Sequence, residues 1–317
     1  MKRTTNNETA ALLRAQDRFL LLTHDRPDGD TLGAAAALAM GLRALGKTAY
    51  LLPNPGAGPK YDGFLPPLLA APDFAPDFVV AVDVASAAML PENAAPYAAR
   101  VDLCIDHHPS NTGYAAHTCL APECAACGEI VYALLSALDA PLTREIADAL
   151  YVAVSTDTGC FAYANTTADT LRIAAALVTA GADSRRLNKL FFRTKSRARI
   201  AVEGRLLSGM TFYRGGQIAV TVLTQAMRRE TGAAENDLDD IASLPSQIEG
   251  VLAGVLVREN ADGTCRVSVR TSGGVSANRI CAAFGGGGHE QAAGCNVDAS
   301  AEETVQRVLA AAEQELE

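Results

Sequence analysis

Four short apolar runs near the start of the chain constrain its fold more than any other feature. They are FLLLTH (19–24), TAYLL (48–52), FVVAVD (78–83) and VDLCID (101–106). None alternates apolar with polar residues, and loops or segments of helical periodicity separate them. Uninterrupted apolar runs of this length are typical of parallel strands that helices cover on both faces. The pattern therefore predicts an α/β fold with a doubly wound, mainly parallel sheet.

The length and the later apolar segments indicate a second domain. A chain of 317 residues exceeds the size at which one hydrophobic core stops growing. Further strands are predicted in TFYRGG, QIAVTVL, GVLAGVLVRE and TCRVSVR, and helices near 30–45, 128–139, 143–155, 167–180, 225–243, 276–284 and 301–316. The proline-rich stretch 53–76 is predicted to be a long loop or lid. We expect a first domain over 1–184, a basic helical connector over 185–210 and a smaller α/β domain over 211–317.

The charge is distributed unevenly along the chain. The net charge is -9, but residues 1–184 carry -9, residues 185–205 carry +7 and residues 206–317 carry -7. An acidic total excludes a protein that coats long nucleic acid through bulk positive charge. The basic segment is interpreted either as a solvated helix face or as a surface that steers a short polyanion.

Nothing in the sequence predicts a membrane span. No apolar run reaches 18 residues, and the first 18 residues are polar. The eight cysteines form no short-period framework, which favours a reducing, cytoplasmic setting. Cys119, Cys124 and Cys127 are interpreted as structural, because their single CxxC lacks the second pair that a zinc site needs.

Aspartate and histidine residues follow three of the four apolar runs. They are His24, Asp28 and Asp30 in an H-x-x-x-D-x-D spacing, Asp83, and the triplet Asp106, His107 and His108, while Asp157 ends an apolar helix. Because the carboxyl ends of parallel strands meet at one edge of a sheet, we expect these side chains to converge. The alternative is that Asp30 caps the following helix and the rest is an ordinary loop.

Carboxylates supplemented by imidazole suit Mn²⁺, with Mg²⁺ or Co²⁺ as competitors. A carboxylate shared by two ions would form a centre that activates water and neutralises a phosphoryl group. The residues therefore predict hydrolysis of phosphoesters.

These motifs resemble those of the DHH phosphoesterase superfamily, which is named for the triplet at Asp106. The resemblance covers nearly the whole chain, including a glycine-rich run at 285–289 followed by Ala292-Ala293-Gly294. That run is similar to the DHH-associated domain, which accompanies the branch that hydrolyses nanoRNA and 3′-phosphoadenosine 5′-phosphate and also RecJ-type exonucleases. RecJ enzymes are considerably longer than this chain, which favours the first branch. The resemblance implies a role for each of these residues in both domains.

In the first domain, His24 and Asp28 would hold one ion, Asp83 would bridge, and Asp30, His107 and Asp157 would hold the second. His108 would contact the scissile phosphate as a general acid, and Asp106 would orient the histidines.

In the second domain, a nucleotide would contact Arg270, Asn278, Gly286, Gly287, Gly288 and His289. Successive glycines expose backbone N–H groups to an anion, and the Arg270 guanidinium suits phosphate. The alternatives are a flexible glycine loop and an exposed charge at a strand end.

The implied substrates are short oligoribonucleotides or 3′-phosphoadenosine 5′-phosphate, not long duplexes, and the resemblance also implies a homodimer. One alternative is a phosphodiesterase for pApA or cyclic di-AMP. Another is a nucleotide-sensing protein without turnover, which would not need the complete ligand set.

Overall fold

A six-stranded parallel sheet organises the first of two structural units. The computed structural model describes residues 2–238 and 240–316, and the chain divides into an N-terminal unit, 1–194, and a C-terminal unit, 195–317. The N-terminal strands are β1 (Lys2–Arg3), β2 (Phe19–Leu22), β3 (Ala49–Leu51), β4 (Phe78–Val82), β5 (Leu103–Asp106) and β6 (His117–Leu120). They lie in the order β1-β6-β5-β4-β2-β3, and each adjacent pair is parallel.

Helices pack against one face of this sheet, whereas loops, 3₁₀ turns and one short helix pack against the other. Strands β2 and β4 are buried at every position. The helices of the unit are α1 (Asn6–Ala15), α2 (Gly29–Ala44), α3 (Ala95–Ala98), α4 (Cys127–Ala137), α5 (Arg144–Asp157), α6 (Ala168–Thr179) and α7 (Ser184–Asn188), and a π-helical turn (Lys189–Arg193) follows α7. Helices α2 and α5 pack so closely that a Cβ atom at Gly33 of α2 would collide with the carbonyl oxygen of Ala149 in α5. This contact brings the carboxyl end of α5 next to the start of α2.

The C-terminal unit has a mixed sheet in the order β11-β12-β10-β9-β8-β7. Strands β8 and β9 are parallel, and the other pairs are antiparallel. The strands are β7 (Thr211–Tyr213), β8 (Ile218–Leu223), β9 (Ala253–Glu259), β10 (Cys265–Thr271), β11 (Gly287–His289) and β12 (Ala292–Val297). The helices are α8 (Arg197–Ser208), α9 (Gln225–Thr231), α10 (Ala277–Ala282) and α11 (Ala301–Glu315).

The predicted α/β class with a parallel sheet and a second α/β unit is confirmed. The helix predicted over 225–243 is wrong: α9 ends at Thr231, because Gly232 adopts the left-handed conformation (φ 67°) and terminates it. Two 3₁₀ segments follow, Glu235–Leu238 and Ile241–Gln247. Strands β1, β6, β11 and β12 were not predicted.

The basic segment is shared between the two units, and acidic neighbours pair with several of its side chains. Arg186 contacts Asp148 at 2.8 Å. Lys195 and Arg199 both contact the buried Glu203, at 2.7 and 2.5 Å. Acidic side chains therefore neutralise part of the positive charge of this segment within the fold. Across the described residues, no helix combines the length and the hydropathy needed to cross a membrane.

Candidate metal centre

The structure brings the predicted aspartates and histidines of the N-terminal unit together at the carboxyl edge of its sheet. Within the described ranges, three groups of side chains place their ligand atoms close enough to hold a metal ion. The groups are His24, Asp28 and Asp83; Asp30, His107 and Asp157; and Asp83, His107 and His108. Asp83 and His107 each belong to two groups, so the groups form one continuous centre.

Asp83 lies in the middle of this centre, directly after β4. Its backbone N–H donates to the carbonyl oxygen of Ile105 at 2.8 Å, and its φ of 61° is left-handed. A non-glycine residue in that conformation is strained, and such strain concentrates at functional sites. The carboxylate is buried, and its Oδ1 has no hydrogen-bond partner. Because an unpaired buried carboxylate oxygen is costly, a cation at this point fits the structure.

The two oxygens of Asp83 face different histidines. Oδ2 lies 3.8 Å from Nε2 of His24, and Oδ1 lies 3.5 Å from Nε2 of His107. The geometry thus matches a carboxylate placed between two ligand groups.

Asp28 and Asp30 each anchor a helix as well as facing a histidine. Oδ1 of Asp28 accepts hydrogen bonds from the N–H groups of Asp30 and Thr31 and caps α2, while Oδ2 lies 3.7 Å from Nε2 of His24. The alternative that Asp30 caps α2 is therefore wrong.

Asp30 instead binds the first turn of α4. Its oxygens accept hydrogen bonds from the N–H groups of Cys127, at 2.6 Å, and Gly128, at 2.9 Å. The preceding residue, Gly29, must be glycine because a Cβ atom there would collide with Thr156 on α5.

The ring of His107 is oriented by a backbone carbonyl. Its Nδ1 lies 3.1 Å from the carbonyl oxygen of Cys124, which can only accept, so Nδ1 carries the proton. Nε2 is then the free ligand atom, and it lies 3.5 Å from Asp157 and 3.9 Å from Asp30. Asn165 donates to the carbonyl oxygens of Asp157 and Ala125, at 3.1 Å each, and ties these segments together.

Asp106 lies behind the centre and does not belong to any of the three ligand groups. Its Oδ1 accepts hydrogen bonds from the N–H groups of His107, at 2.9 Å, and His108, at 3.3 Å, and lies 2.8 Å from Nδ1 of the His108 ring. Asn111 donates to its other oxygen at 2.5 Å.

Burial and mutual repulsion dominate the electrostatics of the carboxylates. Burial and the charge of Asp28 raise the pKa of Asp83 to about 8. Burial and the charges of Asp83 and Asp157 also raise the pKa of Asp30. The pKa of Asp28 is lowered instead, because hydrogen bonding and the charge of His24 outweigh its burial. The hydrogen bond to Asp106 raises the pKa of His108 to about 9. Four crowded carboxylates of this kind are stabilised by divalent cations.

The predicted nucleotide contacts lie in the C-terminal unit. Arg270 in β10 pairs with Ala292 in β12, which pairs with His289 in β11, so these residues form one row across three strands. Asn278 lies in α10, and its Oδ1 is 3.7 Å from the position that a Cβ atom of Gly287 would occupy.

The glycine-rich run is a strand and its approach, rather than a flexible loop. Gly287 and Gly288 pair with β12. Side chains at Gly286 and Gly288 would collide with the carbonyl oxygens of Gly294 and Ala292. Close packing against β12 therefore requires glycine at both positions, whether or not an anion binds there.

Asn111, Asn165 and the carbonyl of Cys124 were not predicted. Asn111 lies only three residues after the triplet, and this short spacing is the sequence feature that could have indicated a role in the site. The other two depend on tertiary contacts that a local pattern does not encode.

Fold and site together define a two-domain protein of the DHH type, and comparisons agree. The family described as "DHH family, N-terminal domain" matches residues 18–154, and the DHHA1 domain matches residues 215–317. The chain belongs to the DHH family of phosphoesterases, which confirms the resemblance read from the motifs.

Named relatives and a solved structure share nearly the whole length of the chain. It is 35% identical to the bifunctional oligoribonuclease and PAP phosphatase NrnA of Thermus thermophilus, over 97% of this chain and 93% of that protein. The Bacillus subtilis protein of the same name is 24% identical, over 89% and 90%. The crystal structure of an exopolyphosphatase-related protein from Bacteroides fragilis superposes with a TM-score of 0.85 at 24% identity, covering 98% and 95%.

Proposed function

We propose that this chain is a two-metal phosphoesterase that hydrolyses short oligoribonucleotides and 3′-phosphoadenosine 5′-phosphate. The observation that carries the proposal is the pair of shared ligands, Asp83 and His107, which joins three ligand groups into one centre. The names of the Thermus and Bacillus relatives support the choice of substrates.

The ligands divide naturally between two ions. His24 and Asp28 would hold one ion, Asp30, His107 and Asp157 would hold the other, and Asp83 would be shared between them. Oxygen ligands with imidazole and without thiolate favour Mn²⁺, with Mg²⁺ or Co²⁺ as alternatives. Bound ions of this kind neutralise phosphoryl charge and lower the pKa of water.

His108 is the proposed proton donor to the leaving oxygen. Because Asp106 accepts the hydrogen bond from Nδ1, the ring presents Nε2 for proton exchange. Asp106 itself is fully buried and acts by orienting the ring.

The C-terminal unit is the proposed nucleotide-binding part. The guanidinium of Arg270 offers a planar pair of donors to phosphate, and His289 lies in the same row of the sheet. Asn278 and the N–H groups of Gly286, Gly287 and Gly288 complete the proposed contacts.

The test is a substrate panel with the purified enzyme and Mn²⁺, Mg²⁺ or Co²⁺. The panel contains 3′-phosphoadenosine 5′-phosphate, pApA, a 5-mer RNA, a long single strand and cyclic di-AMP. We expect turnover of the first three substrates and its loss with EDTA. Full activity in EDTA would remove the metal-dependent mechanism. Hydrolysis of pApA or cyclic di-AMP alone, without turnover of the 5-mer or of 3′-phosphoadenosine 5′-phosphate, would favour the dinucleotide phosphodiesterase instead. Binding without hydrolysis of any substrate would favour the sensor.

A further inference from the structure

Asn111 completes the hydrogen bonding of a buried carboxylate beside the metal centre. Oδ1 of Asp106 is occupied by His107 and His108. Its Oδ2 accepts a hydrogen bond from Nδ2 of Asn111 at 2.5 Å. Both oxygens of this carboxylate therefore accept hydrogen bonds, Oδ1 from the two histidines and Oδ2 from Asn111.

The amide of Asn111 is itself held in one orientation. Its backbone N–H donates to the carbonyl oxygen of His108 at 3.0 Å. Its Oδ1 accepts from the N–H of Gly113 at 2.8 Å. Because a backbone N–H can only donate, this bond fixes which end of the amide is oxygen and turns Nδ2 towards Asp106.

We propose that Asn111 is a positioning residue for phosphoester hydrolysis, which holds Asp106 so that Nε2 of His108 is presented to the leaving oxygen. Without the Asn111 donor, Oδ2 of Asp106 would be buried and unpaired, and the carboxylate would turn away from the His108 ring to find another partner. The inference rests on the proposed role of His108 as proton donor.

The test compares two leaving groups on the Mn²⁺-loaded enzyme. The substrate pApA releases an alcohol, which needs a proton, whereas a p-nitrophenyl ester of a nucleoside 5′-phosphate releases a stable phenolate. We expect Asn111→Ala to lower kcat on pApA about 10- to 100-fold, as losses of orienting partners do, with KM little changed. Turnover of the nitrophenyl ester should change far less.

Two further variants separate this effect from damage to the local turn. Asn111→Asp keeps the acceptor for Gly113 but places a second carboxyl group against Asp106, which disturbs the same contact, so it should reproduce the dependence on leaving group. Asn260→Ala is the matched control, because Asn260 donates to Thr264 at 2.9 Å in the turn between β9 and β10. It should leave both turnover rates unchanged.

A spectroscopic measurement tests the geometry without turnover. In ¹H NMR of the Mg²⁺-loaded protein, the hydrogen-bonded Nδ1–H of His108 should give a downfield resonance that both Asn111 variants weaken. Equal losses of kcat on the two substrates with this resonance intact would overturn the positioning role. If His108→Ala itself impairs both substrates equally, the proposed proton donor is wrong and the inference falls with it.

Discussion

Oδ1 of Asp83 lies 3.5 Å from Nε2 of His107 and has no hydrogen-bond partner, although the carboxylate is buried. Nδ1 of His108 also lies 3.5 Å from this oxygen, and Nε2 of His24 lies 3.8 Å from Oδ2. Three histidines thus surround a buried carboxylate, an arrangement that suits a shared cation.

Replacing Asp83 tests whether this carboxylate bridges two ions. Asp83→Asn should abolish Mn²⁺-dependent hydrolysis and reduce the number of ions bound per chain, measured by isothermal titration calorimetry. Circular dichroism should show an intact fold. Asp262→Asn is the control, because Asp262 is exposed in the turn between β9 and β10. Unchanged stoichiometry and turnover in Asp83→Asn would remove the bridging role.

The raised pKa of Asp83 predicts how stability depends on pH in the metal-free protein. In the folded state the carboxyl group of Asp83 has a pKa of about 8, whereas the pKa of an unfolded aspartate is about 4. The contribution of Asp83 to the free energy of unfolding is therefore fully present below the unfolded pKa and is lost as pH rises through the folded pKa.

Urea unfolding in EDTA checks the sign of this contribution. Between about pH 5 and about pH 9, the wild type should lose more stability than Asp83→Asn, because the asparagine carries no titrating proton. Parallel pH profiles for the two proteins would contradict the prediction.

Close packing of α2 against α5 predicts a large effect from one added methyl group. Gly33→Ala would push a Cβ atom into the carbonyl oxygen of Ala149, so we expect a loss of about 1–3 kcal/mol in the free energy of unfolding. Gly204→Ala in α8 is the contrast: a Cβ atom there meets open space, and alanine should stabilise the helix by about 0.5–1 kcal/mol. If the two variants change the free energy of unfolding equally in denaturant, the close packing of α2 on α5 does not require glycine at position 33.

Arg270 predicts a separation of binding from chemistry. Arg270→Ala should raise KM for pApA at least about 10-fold, the equivalent of one lost charged hydrogen bond, with a smaller change in kcat. Arg266→Ala, an exposed arginine on the same strand, should leave KM unchanged. If the two variants behave alike, Arg270 is only a charge at a strand end.

Sequence patterns predicted the elements that depend on residues close together in the chain. Apolar runs predicted β2 to β5, and the residues after them predicted that aspartates and histidines would cluster, because the ends of parallel strands must converge. The two-residue strand β1 and the glycine strand β11 carry no such pattern and form only through pairing with partners distant in sequence or across a hairpin. For the same reason the sequence did not predict Asn165, whose partners Ala125 and Asp157 become neighbours only in the folded chain.

The double use of Asp28 and Asp30 affects how the centre acquires its ions. Each carboxylate is already fixed by the first turn of a helix, so the ligands are preorganised before an ion arrives. Little conformational entropy is then lost on binding, and one divalent ion can replace another without refolding of the site. Which metal occupies the centre would then depend on the affinity of this ligand set for each ion together with the supply of ions in the cell.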